Sequence, residues 1–418
     1  MKKLFVVLIA LFTLLLLPGI ATAQESDATP SSDVLIDESQ LQQQQAVPQE
    51  EFSRAKVIEI LEDKNSAVGG FDQPYQKVKL RLETGSEVGK EIEVEHGGLF
   101  AIQEEQKVKV GDTVVITKTA GPTGEIYYIT DKYRIFPLIV IFAVFFGLAV
   151  IFGRVKGASA ILGLLASIFV LVKFVVPQIL AGANPLTTSL GGALAIAIVS
   201  LYMAHGLNRR TTVALAGTVV TLLIAAGLAM LYVSFVGLSG TGSEEAIFLR
   251  MGPIGAIDLR GLLLGGIIIG ALGVLDDITT AQAATVDELQ KANPDMSKGE
   301  LMKRALSVGR EHIASLVNTL ALAYAGASFP LLLLFSISQD IPLWLTVNSE
   351  FIAEELVRTL VGSTALILAV PISTFLAVNF LASKRPQFAI EVIEEEVVRP
   401  RRKRTTTRKA SSRKSKRV

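Results

Sequence analysis

The chain has 418 residues, half of them apolar, with a mean hydropathy of +0.49. Those values mark an integral membrane protein. With no cysteine, disulfides, thiol nucleophiles and cysteine metal sites are excluded. The formal net charge of +1 hides an asymmetry, because residues 399–418 carry eleven Lys and Arg and no acid, which leaves the rest of the chain net acidic.

Met1 to Ala23 reads as a secretory signal. Lys2 and Lys3 form the basic start, Leu4 to Leu17 the apolar core, and Ala21-Thr22-Ala23 an A-x-A cleavage site. Retention of the same stretch as a first transmembrane helix is the alternative. Gln24 to Glu50 is rich in Ser, Asp, Pro and Gln and has little to bury, so a disordered spacer is expected.

From Glu51 to Arg134 the pattern changes. AKVIEIL (Ala55–Leu61), VKLRL (Val78–Leu82), EIEV (Glu91–Val94), TVVIT (Thr113–Thr117) and EIYYIT (Glu125–Thr130) read as strands. Glycine-containing turns separate them. Five short strands in this length predict a small all-β domain outside the membrane, an open barrel of OB-like kind or a compact sandwich. His96, alone at a strand end, reads as a surface turn residue.

Seven apolar runs follow, at 135–152, 158–180, 186–205, 211–238, 257–286, 313–336 and 356–382. The fold class expected is a polytopic α-helical membrane protein of about seven spans. Lys and Arg concentrate in alternate loops, at Arg154, Lys156, Arg209, Arg210, Lys291, Lys298, Lys303, Arg304 and Arg310, whereas the opposite loops carry only Arg250. The positive-inside rule then puts the β domain outside, and the basic tail, residues 384–418, in the cytoplasm. Lys173 reads as snorkelling to the outer surface, and Asp258, Arg260 and Arg358 as interfacial. His205 and His312 read as boundary residues. The tail reads as an anchor for anionic lipid; no aromatic or folded element accompanies its charge, so nucleic acid is not expected as a partner.

The fifth run carries the chemistry. RGLLLGGIIIGALGVLDDITTAQAATVDELQKAN (Arg260–Asn293) begins as a glycine-spaced apolar helix. Gly261/Gly265 and Gly266/Gly270 are small-xxx-small pairs that admit close helix packing, and dimerisation through this face is one use of them. In mid-course stand Asp276 and Asp277, then Thr279, Thr280 and Gln282. Acids inside a span are costly, so such a pair reads first as a site; the bland alternative is that the bilayer ends just before them. Asp276, Asp277, Thr279 and Thr280 fall within about 160° of one helix face. Adjacent carboxylates in poorly hydrated surroundings repel each other, a property that proton- or cation-coupled transporters use. In the sixth run Ser315, Asn318 and Thr319 share a face at the same level and are expected to line the site. Between the two runs, Asn293-Pro294 ends one helix and Ser297-x-x-Glu300 opens an amphipathic one, read as an elbow rather than an interfacial helix.

LGVLDDITTAQAATVDELQKANP (Leu272–Pro294) and RALSVGREHIASLVNTLALAYAGASFPLLLL (Arg304–Leu334) resemble the YibE/F family of bacterial membrane proteins, over roughly Phe52 to Ser383. The resemblance implies a multi-pass protein for which transport is the general guess. More loosely, the acidic glycine-rich helix followed by a cytoplasmic and an outward helix is similar to the proton-relay segment of RND-type exporters, including SecD/SecF. Here the acidic helix is the fifth span, not the third, and the lysine of those pumps has no counterpart, which leaves an analogy.

The expected function is a permease, proton- or cation-coupled through Asp276 and Asp277, for an unidentified small solute or ion. The competing reading is a non-transporting scaffold that binds a partner through the outer domain. No GxxxxGK[ST], HExxH or GxSxG motif occurs, and neither enzymatic activity, metal nor cofactor is expected.

Overall fold

The computed structural model describes residues 50–68, 71–98, 100–121, 124–251, 257–337 and 342–382. The expected signal sequence, the expected spacer up to Gln49 and the basic tail lie outside the described residues. The chain divides into two compact units at Ile161/Leu162.

In the first unit, one antiparallel sheet holds β1 (Glu51–Val68), β2 (Phe71–Leu82), β3 (Glu91–His96), β4 (Thr113–Gly121) and β5 (Gly124–Lys132) in the order β3-β2-β1-β4-β5. All five predicted strands are present. β3 alternates strictly between exposed and buried residues, so Ile92 and Val94 join Ala55, Val57, Val78, Leu80, Val114, Ile116 and Ile129 in one core. β1 runs seven residues beyond the predicted end at Leu61. There Asp63, Lys64 and Asn65 pair with Gln76, Tyr75 and Pro74, and the stretch is largely exposed, so it lacks the alternation that marks a half-buried strand. β3 and β5 also come into contact without forming a ladder, so the sheet curls toward itself.

Two buried polar groups hold this unit's irregular segment. The Gln76 amide, 1% exposed, donates to the Val108 carbonyl at 3.2 Å and accepts from the Val108 N–H at 2.8 Å, as a neighbouring strand would. His96 is buried rather than on the surface as expected. Its Nε2 lies 3.1 Å from the Gln106 carbonyl, because the 3-10 turn Glu104–Gln106 folds back over the end of β3.

The helices are α1 (Ile135–Val170), α2 (Val176–Leu180), α3 (Pro185–His205), α4 (Arg209–Val236), α5 (Glu244–Met251) and α6 (Leu259–Ala292), then α7 (Lys298–Ala327), α8 (Phe329–Ile337), α9 (Leu343–Val347) and α10 (Glu350–Leu381). A π turn, Leu171–Val175, joins α1 to α2 and presents Lys173 on its exposed side. Among the described residues, five elements are long and apolar enough to cross a membrane: Ile135–Leu180, α3, α4, α6 and α10. The first two expected spans share one of these elements, broken at Arg154 (φ 50°, ψ −132°). The break folds the chain back on itself, so that a side chain on Gly157 would run into the Ala149 carbonyl. The sixth expected span falls on α7 and α8, and it is not among the five.

Local chemistry explains the helix starts. Asn184, Asn208, Asp258 and Ser297 each accept an N–H from the first turn, at 3.1, 2.9, 2.9 and 3.2 Å respectively. Asp258 is therefore a cap. α7 is one unbroken 30-residue helix, so the expected elbow and the expected sixth span are continuous. Its Leu301, Ala305 and Gly309 are buried, the first two packing with Ala214, Ala283, Val286, Ala377 and Val378. At about 1.5 Å per residue, the 34 residues of α6 reach about 50 Å, well beyond a hydrocarbon core of about 30 Å. α6 packs against α3, α4, α7 and α10 and is the axis of the second unit.

Burial holds the His96 pKa below its ordinary 6.5; the Gln106 carbonyl opposes the shift and Lys132 adds to it. The unfolded chain therefore takes up this proton first as the pH drops. The β unit's stability from His96 is complete above 6.5 and is lost below it, toward the depressed folded value. The protection of β3 amides in the full-length protein, with exchange corrected for its intrinsic pH dependence, should fall between about pH 7.5 and about pH 5.5, and His96→Gln should flatten that change.

Candidate functional site

The polar residues of α6 sort onto different neighbours. Asp276 faces α3, where its Oδ2 accepts the Ser200 hydroxyl at 3.0 Å; its Oδ1 is buried and has no hydrogen-bond partner among the described residues. Ser200 is itself backed by α1, since Gly163 lies against it and a Cβ there would meet the Ser200 Cα and carbonyl oxygen at 3.5 Å. Asp277 is exposed. The two acids thus have different surroundings, because consecutive residues of a helix point about 100° apart. Thr280 returns its hydroxyl to the backbone carbonyls of Asp276 and Asp277 at 2.9 and 3.0 Å.

One turn further in, Thr279 is fully buried against α4, its hydroxyl 2.7 Å from that of Thr218. Gln282, also fully buried, meets α10, where the Thr374 hydroxyl lies 3.0 Å from its Oε1. That hydroxyl also reaches the Val370 carbonyl at 2.7 Å, and its single hydrogen serves only one of the two. The Gln282 Nε2 has no partner among the described residues and packs on Gly309 of α7, where a side chain would collide with it. Opposite, the buried Ser373 hydroxyl of α10 fills the place of a side chain on Gly217 of α4. Asp276, Thr279 and Gln282 therefore form a ladder of polar groups down α6, each held by a different helix. In a bilayer such groups are stable only against protein or enclosed water.

Four expectations meet different outcomes here. Thr279 and Gln282 join the buried ladder, Thr280 lies at its edge, and Asp277 faces out. Gly261 and Gly265 pack on α3, against Pro185 and Ser189, which is the close approach that small residues allow. Gly266 and Gly270 are exposed and have no helix backbone against them; the nearest groups to a Cβ there would be Arg358 Nη1 at 3.9 Å and the Tyr324 hydroxyl at 3.6 Å. Ser315, Asn318 and Thr319 are exposed and are not brought to the aspartates. Ser315 and Thr319 continue the side of α7 that bears Leu301, but beyond Gly309 the helix buries no residue, so these three stay uncovered.

Sequence reasoning missed the partners. Ser200 is the last of a small-residue series in α3 (Ser189, Ala193, Ala197) that packs with α6. Thr218, Ser373 and Thr374 stand in otherwise apolar runs, a signal open to reading. Also missed was a clasp at the other end of the unit. Glu350 accepts the N–H groups of Ser239 and Gly240 at 2.6 and 3.0 Å, and the buried Glu354 accepts that of Gly242 at 2.8 Å, fixing the segment after α4 to the start of α10. At the opposite end, Arg210 faces Asp287 at 3.6 Å and Lys298 reaches Asn379 at 3.2 Å.

The ladder's packing yields a stability prediction. Gly217→Val drives a branched side chain into Ser373 and parts α4 from α10, at a cost of about 2–4 kcal/mol. Gly227→Ala on the same helix meets open space and should be neutral or slightly stabilising. Thermal midpoints of the purified full-length variants check both.

No curated protein and no solved structure matches the chain. The family described as YibE/F-like protein matches residues 141–383. That region starts within α1 and takes in all the later helices, leaving the β sheet outside, and is narrower than the likeness drawn from sequence, which began at Phe52. It includes Ser200, Asp276, Thr279, Gln282 and Thr374, and by this match the chain belongs to the YibE/F family.

Proposed function

We propose that this protein is a permease of the bacterial cytoplasmic membrane that moves a small solute or ion together with a proton or cation bound at Asp276. The observation that carries the reading is the Asp276 carboxylate: one oxygen on Ser200, the other buried and unpartnered, half-way along a helix that is long enough to span the bilayer. A carboxylate placed so is poised to exchange a proton or a monovalent cation. Asp277, on the exposed side, is the relay through which that ion arrives or leaves. Thr279, Thr280 and Gln282 line the inner part of the route, whereas Ser315, Asn318 and Thr319 take no part in a monomer.

The arrangement in the membrane follows from the same reading. The chain reversal at Arg154 divides the first apolar element into two crossings, and α7 with α8 supplies another, which makes seven. The β unit lies outside, preceded by a cleaved signal, and the basic tail lies inside on anionic lipid. The clasp of Glu350 with Ser239 then marks the outer end, and Arg210 with Asp287 the inner. The β unit is an OB-like barrel, supported by the order β3-β2-β1-β4-β5 and by the contact between β3 and β5. It acts as a gate or docking module. The protein is not an enzyme and uses no cofactor.

A scaffold role is the second reading, favoured by one observation: α1 has apolar residues exposed on every side up to the Arg154 break, a surface for lipid or for a partner subunit.

Proton flux into proteoliposomes carrying an internal pH-sensitive dye tests the permease. Asp276→Asn should leave a folded protein with flux reduced about tenfold or more, and Asp277→Asn should slow it less. Wild-type flux no greater than that of Asp276→Asn across a range of imposed gradients would remove the proton-coupled version.

A further inference from the structure

We propose that Arg358 and Tyr324 form a binding site for an oxyanion, a phosphate or carboxylate group, in the outer half of the helical unit, over the uncovered strip of α6 at Gly266 and Gly270. The site is separate from Asp276, which lies six residues further along α6, about 9 Å inward. It does not depend on the permease reading. If that reading holds, the site names the solute's class as anionic.

Arg358 stands eight residues into α10, about 12 Å from its start. A guanidinium at that depth needs a counter-charge. Three carboxylates precede it on the same helix, and two are committed elsewhere. Glu350 holds Ser239 and Gly240, and Glu354 holds Gly242. The third, Glu355, is 3.5 Å from Nη2, longer than a good charge-assisted hydrogen bond. The Nε is buried with no hydrogen-bond partner among the described residues. The guanidinium is therefore incompletely satisfied although its side chain is only 29% exposed.

Its setting favours a ligand over another helix. The Nη1 lies 3.9 Å from where a Cβ on Gly266 would be, and the Tyr324 hydroxyl 3.6 Å from one on Gly270, one helical turn away. Both polar tips overhang bare backbone, and Gly266, Gly270 and Gly273 are exposed. The planar fork of arginine offers paired N–H donors to an oxyanion, and a phenol adds a third. Glycine in the floor lets the anion sit close to α6. The Glu355 carboxylate opposes an anion here, so the complex forms with Glu355 turned away.

Such an oxyanion has two sources, a free solute or the headgroup of a phospholipid. The test uses the full-length protein in phosphatidylcholine nanodiscs, with radiolabelled inorganic phosphate and acetate as probes. Native mass spectrometry of protein taken from membranes that contain phosphatidylglycerol runs in parallel. Expected is saturable binding of phosphate, acetate or both that Arg358→Gln weakens about tenfold or more, that Arg358→Lys restores in part, and that Tyr324→Phe weakens several-fold. Gly227→Ala, which meets open space, should leave it unchanged, which separates a local effect from a general loss of fold. Retained phosphatidylglycerol that Arg358→Gln loses, with no binding of either free anion, assigns the site to lipid. Binding of the free anions and of phosphatidylglycerol that is equal in wild type and Arg358→Lys, and equal again in Tyr324→Phe, overturns the proposal, whether or not Arg358→Gln folds.

Discussion

A helix that carries a carboxylate, a threonine and a glutamine in its span needs a protein partner for each, because lipid offers none. Asp276, Thr279 and Gln282 meet that demand on three different helices, at Ser200, Thr218 and Thr374. The constraint acts on the neighbours in turn. The helices of this unit come close at small residues: α3 on α6 at Ser189 and Gly265, α10 on α4 at Ser373 and Gly217, and α7 on α6 where Gly309 meets the Gln282 amide. Close approach and polar satisfaction thus depend on each other. A bulkier residue at any of these glycines would part the helices and strand a buried polar group.

Above and below that ladder the packing is ordinary. Ala229, Val233, Leu263, Ile267, Val357 and Val361 form an apolar layer on one side of it, and Ala214, Ala283, Val286, Leu301, Ala305 and Ala377 one on the other. In each layer alanine and β-branched side chains dominate, which keeps the helix axes close. The ends are held electrostatically, by the Glu350 and Glu354 clasp at one and by Arg210, Asp287 and Lys291 at the other. What the bundle leaves unfilled is the Gly266–Gly273 side of α6, where Arg358 and Tyr324 reach over without covering it.

The β unit solves the same problem in water with different means. Its core is a continuous apolar sheet face, and its surface charges are paired across strands, as with Lys77–Glu93 and Lys79–Glu91, both 2.8 Å. Such exposed pairs add little stability. Gln76 and His96 do more, because they satisfy the backbone of the long connection between β3 and β4, which has no ladder of its own.

Hydropathy, charge asymmetry and alternation are properties of single segments, and the sequence alone determined what rests on them. It located the five strands, the apolar runs, the cap at Ser297, and the acidic fifth run as the chemically unusual one. It also identified the family through the motifs around Asp276 and Arg304. Which face of a helix meets which neighbour is not a segment property, and only the tertiary structure decided it. Asp276 and Asp277 read as a pair along the chain, yet α3 covers one and leaves the other open. Ser315, Asn318 and Thr319 read as lining for the aspartates, but α7 buries no residue beyond Gly309 and leaves them uncovered. His96 looks like a turn residue until the Glu104–Gln106 turn folds over it. In each case a side chain's surroundings come from residues distant in the chain, and a periodic pattern gives the angle of a face without naming what lies opposite.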